Sequence, residues 1–233
     1  MWDDDRVTVA SPLVPVVSAE LPETVAVGAA TVRVARLARR EPSEGAHDAD
    51  ASDAVAALRA NPRTASRLDG DWWCVSRQPE MIAIACGALP ELHVFVLVRG
   101  EGRRWSYHIE SKAERLVACR NGMWASPWQL DPAQPVDSDT SNLHILVHER
   151  SGASGRAADG RINTADIYLD SSTALLRVYV TPLPGPQTRP NNPLTPAVVE
   201  LGARLGDRVL YDGGSPFAPA QRWPPEDAAD TQR

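Results

Sequence analysis

Three side chains in the segment Trp105-Ser106-Tyr107-His108-Ile109-Glu110 could do chemistry together. Alternate positions of a strand share one face, so Ser106, His108 and Glu110 point the same way. The preceding apolar run, Leu92 to Val98, joins this segment through Gly100-Glu101-Gly102. A two-residue turn centred on Gly100-Glu101 sets His93 opposite His108 and Glu91 opposite Glu110. Two imidazoles and two carboxylates on one face can hold a divalent cation or supply acid/base catalysis, which makes His93, His108 and Glu110 the metal or catalytic set of an enzyme reading. That arrangement is lost with a one-residue change of register. The plainer account of the same face is the solvated side of a half-buried antiparallel sheet. The residues therefore assign no catalytic group, no metal and no cofactor.

The other chemistry-bearing residues are scattered. His144 and His148 lie four apart, a spacing that suits zinc on a helix, but Leu143-His144-Ile145-Leu146-Val147-His148 reads as a strand and lacks the zincin glutamate. Cys74, Cys86 and Cys119 are odd in number and widely spaced, and each lies in or beside an apolar stretch, as small buried thiols do. Gly152, Gly155 and Gly160 have neither the lysine-serine ending nor the strand-loop-helix setting of a phosphate cradle, and read as a flexible linker. Tryptophan is enriched where proteins meet partners. Trp105 alternates inward, whereas Trp124 and Trp128 flank Ser126-Pro127 in a loop-like stretch and are the candidate partner-binding residues.

What must position these groups is set by composition and punctuation. A chain of 233 residues can bury a real core, and a formal charge of −6 argues against a general grip on nucleic-acid backbone. Lys112 is the only lysine, so almost all positive charge is arginine, as GC-rich coding produces. The start, Met1-Trp2-Asp3-Asp4-Asp5, does not read as a signal peptide, and no apolar run approaches a membrane span. A soluble, intracellular protein with no membrane partner is expected.

Val7 to Val17 and Thr24 to Leu37 are valine-rich and broken by prolines, as edge strands are. They make residues 1–38 a set of N-terminal strands, followed by a polar loop over 39–52. The main domain runs from 53 to 213. Within it Asp53 caps a short helix through Ala60. Short apolar runs then alternate with turn residues: Met81 to Cys86, Leu92 to Val98, Trp105 to Glu110, Arg115 to Cys119 and Met123 to Leu130, with Asn121-Gly122 the clearest hairpin turn. Leu143 to Glu149, Ala165 to Asp170 and Ala174 to Thr181 add further strands. Thr195 caps a C-terminal helix with Pro196 in its first turn and Val198, Val199, Leu201 and Leu205 as its apolar face. Residues 214–233 read as a disordered tail. The fold class expected is α+β: a predominantly antiparallel β-meander with one or two short helices, one of them C-terminal.

Taken in order, Asn121-Gly122-Met123-Trp124-Ala125-Ser126-Pro127-Trp128, Thr164-Ala165-Asp166-Ile167-Tyr168-Leu169, Ala174-Leu175-Leu176-Arg177-Val178-Tyr179-Val180, the proline-rich stretch and Val198-Val199-Glu200-Leu201 resemble one family. It is the small nuclear protein encoded by the fourth gene of the unique long segment in alphaherpesviruses, and the resemblance is collinear over residues 75 to 210. It implies a non-enzymatic accessory protein made late in infection and held in dense bodies of the host nucleus. Its partners there would be other viral nuclear proteins rather than nucleic acid. The family has no catalytic residues to carry over, and Arg39-Arg40 is too short for a basic import signal. The composition fits equally a structural or accessory protein of a high-GC bacterium or phage.

Overall fold

The computed structural model describes residues 21–28, 30–38, 49–68, 70–89, 91–188, 192–217 and 221–223. The expected strand over Val7 to Val17, the loop before Ala49 and the tail beyond Trp223 lie outside them.

The first described strands are β1 (Thr24–Val27) and β2 (Ala30–Arg33), followed directly by the short helix α1 (Val34–Ala38). Helix α2 (Ala49–Ala60) buries Ala51, Ala54, Val55 and Leu58, the three-and-four spacing of one helical face. It begins four residues before Asp53, which sits exposed in its second turn instead of at its cap. Four strands then make an uninterrupted antiparallel meander: β3 (Trp72–Gln78), β4 (Met81–Cys86), β5 (His93–Arg99) and β6 (Trp105–Lys112). Alternation divides its side chains between two cores. Trp73, Val75, Ala83, Ala85, Val94 and Val96 pack against β1, β2 and α1. Ile82, Ile84, Cys86, Phe95 and Leu97 pack beneath α2, with Trp105 beside them.

The chain continues through β7 (Val117–Arg120), β8 (Met123–Ser126), β9 (Trp128–Leu130) and β10 (Asn142–Val147), then β11 (Ile162–Leu169), β12 (Thr173–Val180), β13 (Thr195–Glu200), β14 (Val209–Asp212) and β15 (Gln221–Trp223). The large sheet has the order β15-β14-β12-β8-β7-β1-β2, with β11 on the other side of β12. β12 is its centre. Ala174 to Val180 are all buried, as expected for a strand covered on both faces. β14 and β8 meet the same edge of β12 one after the other, β14 in parallel and β8 antiparallel. The small sheet β13-β10-β9 lays Leu143, Ile145, Val147 and Trp128 on Leu176, Val178 and Val180 of β12.

Among the described residues the protein is thus mostly antiparallel sheet with two short α-helices, both before β3. The C-terminal helix is a correction: Thr195–Glu200 is strand β13, paired along its length with β10. Thr195 and Val199 are buried while Pro196, Val198 and Glu200 are exposed, so burial follows a period of two. β-branched residues suit that role, and proline is tolerated near the start of an edge strand. β3, β14 and β15 are strands without a sequence-based expectation, and β15 falls within the stretch read as tail.

Candidate functional site

The hairpin that carries the enzyme reading forms, but not in the expected register. Its turn spans Gly100 to Arg104, closed by the Gly100 amide donating to the Arg104 carbonyl at 3.0 Å, with Gly102 and Arg103 at positive φ. His93 therefore faces Lys112, and Glu110 faces Phe95. A bulge leaves His108 unpaired and exposed, and Glu91 lies exposed before the strand begins. His93 and Glu110 do meet, on the diagonal: Nδ1 of His93 is 2.6 Å from Oε1 of Glu110. The other carboxylate oxygen accepts from Arg67. The result is an arginine-carboxylate-imidazole chain at the edge of the core under α2. Among the described residues no three His, Cys, Asp or Glu side chains come together as metal ligands.

Cys86 and Cys119 are buried and Cys74 is half-buried, all three as free thiols. Burial raises the Cys86 thiol above its ordinary value, and its Sγ donates to the Arg67 carbonyl at 3.1 Å. Such a thiol is a poor nucleophile.

A cleft of about 710 Å³ lies where the loops after β8, β10 and β12 converge, lined by Trp124, Pro127, His148 to Gly152, Pro182, Leu183, Gly185, Gln187 and Asn192, with Gly28 at its margin. The stretch from Ser151 to Gly160, expected to be a flexible linker, is a built loop. Ser154 and Gly155 both take positive φ. The Ser154 hydroxyl donates to Gln187 Oε1 at 2.8 Å and accepts from the Thr188 amide at 3.2 Å. Gly152 packs closely there: a β-carbon at that position would stand 3.1 Å from the Thr188 carbonyl oxygen, a tight contact.

Beneath this wall, Glu149 forms a forked pair with Arg161: Nη1 and Nη2 each reach one carboxylate oxygen at 2.5 Å. The Glu149 side chain is 1% exposed and the Arg161 side chain 15%. Arg161 also donates to the carbonyls of Ala157 and Thr181, and the Ser151 hydroxyl donates to Glu149 at 2.7 Å. Burial by itself would raise the Glu149 carboxyl, but the hydrogen bonds from Arg161 and Ser151 outweigh it, and the net direction is downward. Glu149 is therefore a fixed anion that holds the loop and is not a base facing solvent. Asn192 ties the opposite wall in through its Nδ2, which donates to the Ser151 carbonyl at 2.8 Å.

The two predicted contact residues part company here. Trp124, on β8, is half-buried at the lip of the cleft. Trp128, beyond Pro127, is 3% exposed. Its indole donates to the Leu176 carbonyl at 3.4 Å and its ring lies 6.0 Å from that of Trp223, so it belongs to the core. His148 lines the cleft and is exposed, while His144 faces Val198 within the small sheet. The sequence pattern did not single out Glu149, Arg161 or Asn192. Their pairing spans a loop and has no local spacing to reveal it.

Asp212 sits behind the cleft and accepts from the Gly214 amide at 2.8 Å. Burial pushes its carboxyl up to about 6, against the opposing pull of Gly214 and Arg150. Because the folded state holds this proton more tightly than the unfolded chain does, the associated stability is full below the ordinary value of 3.8 and is lost as pH rises through 6. Asp212→Asn removes the dependence. Urea unfolding of both proteins at acid and neutral pH should show wild type losing about 3 kcal/mol relative to the variant over that interval; parallel curves would rule the shift out.

Comparison with known proteins finds no matching family model, curated relative or solved structure.

Proposed function

We propose that this chain is a non-enzymatic accessory protein that acts by protein contact, and that the contact is made at the cleft rimmed by Trp124, Pro127, His148 and the loop from Pro182 to Gln187. The observation that carries this reading is the pairing of a half-buried tryptophan with a cleft wall held in place by a buried ion pair. An aromatic anchor on a preorganised surface gains affinity because little order remains to be imposed on binding. The carboxylate nearest the cleft, Glu149, is consumed by Arg161, so the groups left to a partner are an indole, an imidazole, the Arg150 guanidinium, amides and backbone: recognition chemistry. The proposal extends, on the resemblance over residues 75 to 210, to action in the host nucleus during alphaherpesvirus infection, with other viral nuclear proteins as partners. The acidic, lysine-poor composition is compatible with that setting.

The test is capture of tagged wild type and Trp124→Ala from infected cells, with imaging of both. Viral nuclear proteins should be enriched with wild type and fall at least tenfold with the variant. Wild type should gather in nuclear foci, and the variant's melting temperature should stay close to wild type because Trp124 is only half-buried. Equal capture by the two proteins would remove the cleft from the interface; a diffuse location without viral partners would remove the viral reading. The competing enzyme reading rests on the short His93–Glu110 contact. Stoichiometric zinc or manganese in purified protein, accompanied by a raised melting temperature, would favour it.

A further inference from the structure

A second cleft, of about 510 Å³, lies between the outer strands of two different sheets, on the side of the molecule formed by β2, α1 and β3. Its lining is Thr24, Thr31, Arg33, Arg36, Cys74, Val75, Ser76 and Arg77. Three arginines thus line one cleft with the hydroxyl residues Thr31 and Ser76, in a chain whose formal charge is −6; the Thr24 hydroxyl already donates to the Cys119 carbonyl at 2.6 Å.

Each element contributes for a local reason. Arg33 stands opposite Thr24 in the β1–β2 ladder, and Thr31, two residues before it, shares its exposed face. Helix α1 (Val34–Ala38) follows without a linker and is tied at its first residue and at its middle. The Val34 amide donates to the Glu23 carbonyl at 3.0 Å, and the Trp73 indole donates to the Arg36 carbonyl at 3.0 Å. That second bond ties the backbone of Arg36 to β3. In β3 itself a bulge leaves Val75 without a ladder partner between Cys74 and Ser76. Bulges re-aim the residues beside them, and here those residues are Ser76 and Arg77.

We propose that this cleft binds a compact phosphorylated compound, between pyrophosphate and a mononucleotide in size. Guanidinium forks match phosphate oxygens in pairs, and serine and threonine hydroxyls supply the remaining donors. A volume of about 510 Å³ lies within the range of small-molecule sites and is too small for a folded partner. Among the described residues the lining has no aromatic ring on which a base could stack, so the phosphoryl groups carry the recognition. The site is separate from the Trp124 cleft and independent of the function proposed for it.

Titration calorimetry with inorganic pyrophosphate tests the assignment, at an ionic strength held constant with sodium chloride. Wild type should bind one pyrophosphate per chain saturably, and an Arg33→Gln/Arg77→Gln variant at least tenfold more weakly. Arg204→Gln, a change to an exposed arginine paired with Asp139 elsewhere, should bind as wild type does, as should Trp124→Ala. Both cleft arginines are exposed, so the double variant should fold, which its circular dichroism melt will verify. Absence of saturable binding by wild type would overturn the proposal, and so would equal weakening by Arg204→Gln. An Arg36→Gln variant reads the third guanidinium alone, and retention of full affinity in it and in the double variant together would also overturn the site.

Discussion

Trp128→Ala should destabilise the protein by about 3–5 kcal/mol, the range for removing a large aromatic side chain from a core. Its indole is 3% exposed between the small sheet and β12, and its neighbours Leu143, Ile145, Val147 and Leu176 are themselves 1% exposed or less. Nothing in that layer can move in to fill the space without shifting a strand. The Leu176 carbonyl also loses the indole donor. Trp128→Phe keeps most of the volume and should recover more than half of the loss. Urea unfolding with intrinsic fluorescence measures all three proteins. A loss below about 1 kcal/mol for the alanine variant would mean that Trp128 is not the core residue its burial indicates.

Arg161→Met should be comparably severe, at about 3–5 kcal/mol, because it leaves the Glu149 carboxylate buried and without its guanidinium. The methionine fills much of the space, so the charge and not the cavity dominates. Two further observations identify the cause. Adding Glu149→Gln to the same chain should restore part of the loss, since a neutral amide costs far less to bury than a carboxylate. The gap between wild type and the single variant should also narrow in acid. In wild type the Glu149 carboxyl is held below its ordinary value of 4.5, so its contribution is full above that pH and declines as the pH falls. Without Arg161 the burial that raises the carboxyl has lost its main opposition, with Ser151 left as the nearest donor, and the variant gains from protonation. A gap that stays constant with pH, and a double variant no better than the single one, would show that Arg161 acts through packing alone.

The meander was legible because its signals are local. Met81–Cys86 has the bounds that the apolar run suggests, and Asn121-Gly122 makes the expected two-residue hairpin, with both residues at positive φ and Arg120 facing Met123. The expected facing of His93 and His108 failed on register, a property that depends on turn length. Two glycines near Glu101 suggested a two-residue turn, but the chain uses five residues there and adds a bulge, which separates His108 from His93 and brings Glu110 within reach instead. β3 was hidden because Trp72, Trp73, Cys74 and Val75 are all apolar, so residue type shows no alternation there although burial does alternate. In β13 the Thr195-Pro196 start carried a helix signal that pairing with β10 overrode. The candidate site was legible only at its rim, where Trp124 and Pro127 stand out by residue type. Its wall depends on Glu149 finding Arg161, twelve residues away across a loop, and no periodicity encodes that.

The ladder between β1 and β7 brings Thr24 beside Cys119, 95 residues further along the chain. The whole four-stranded meander and α2 lie inside that interval. During synthesis the N-terminal strands therefore leave the ribosome long before the edge that will receive them exists. The meander, built from neighbouring hairpins, can close first because its contacts are short in sequence. Val25, Val27 and Val32 wait on it for burial, so the earliest part of the chain to be made is among the last to be protected.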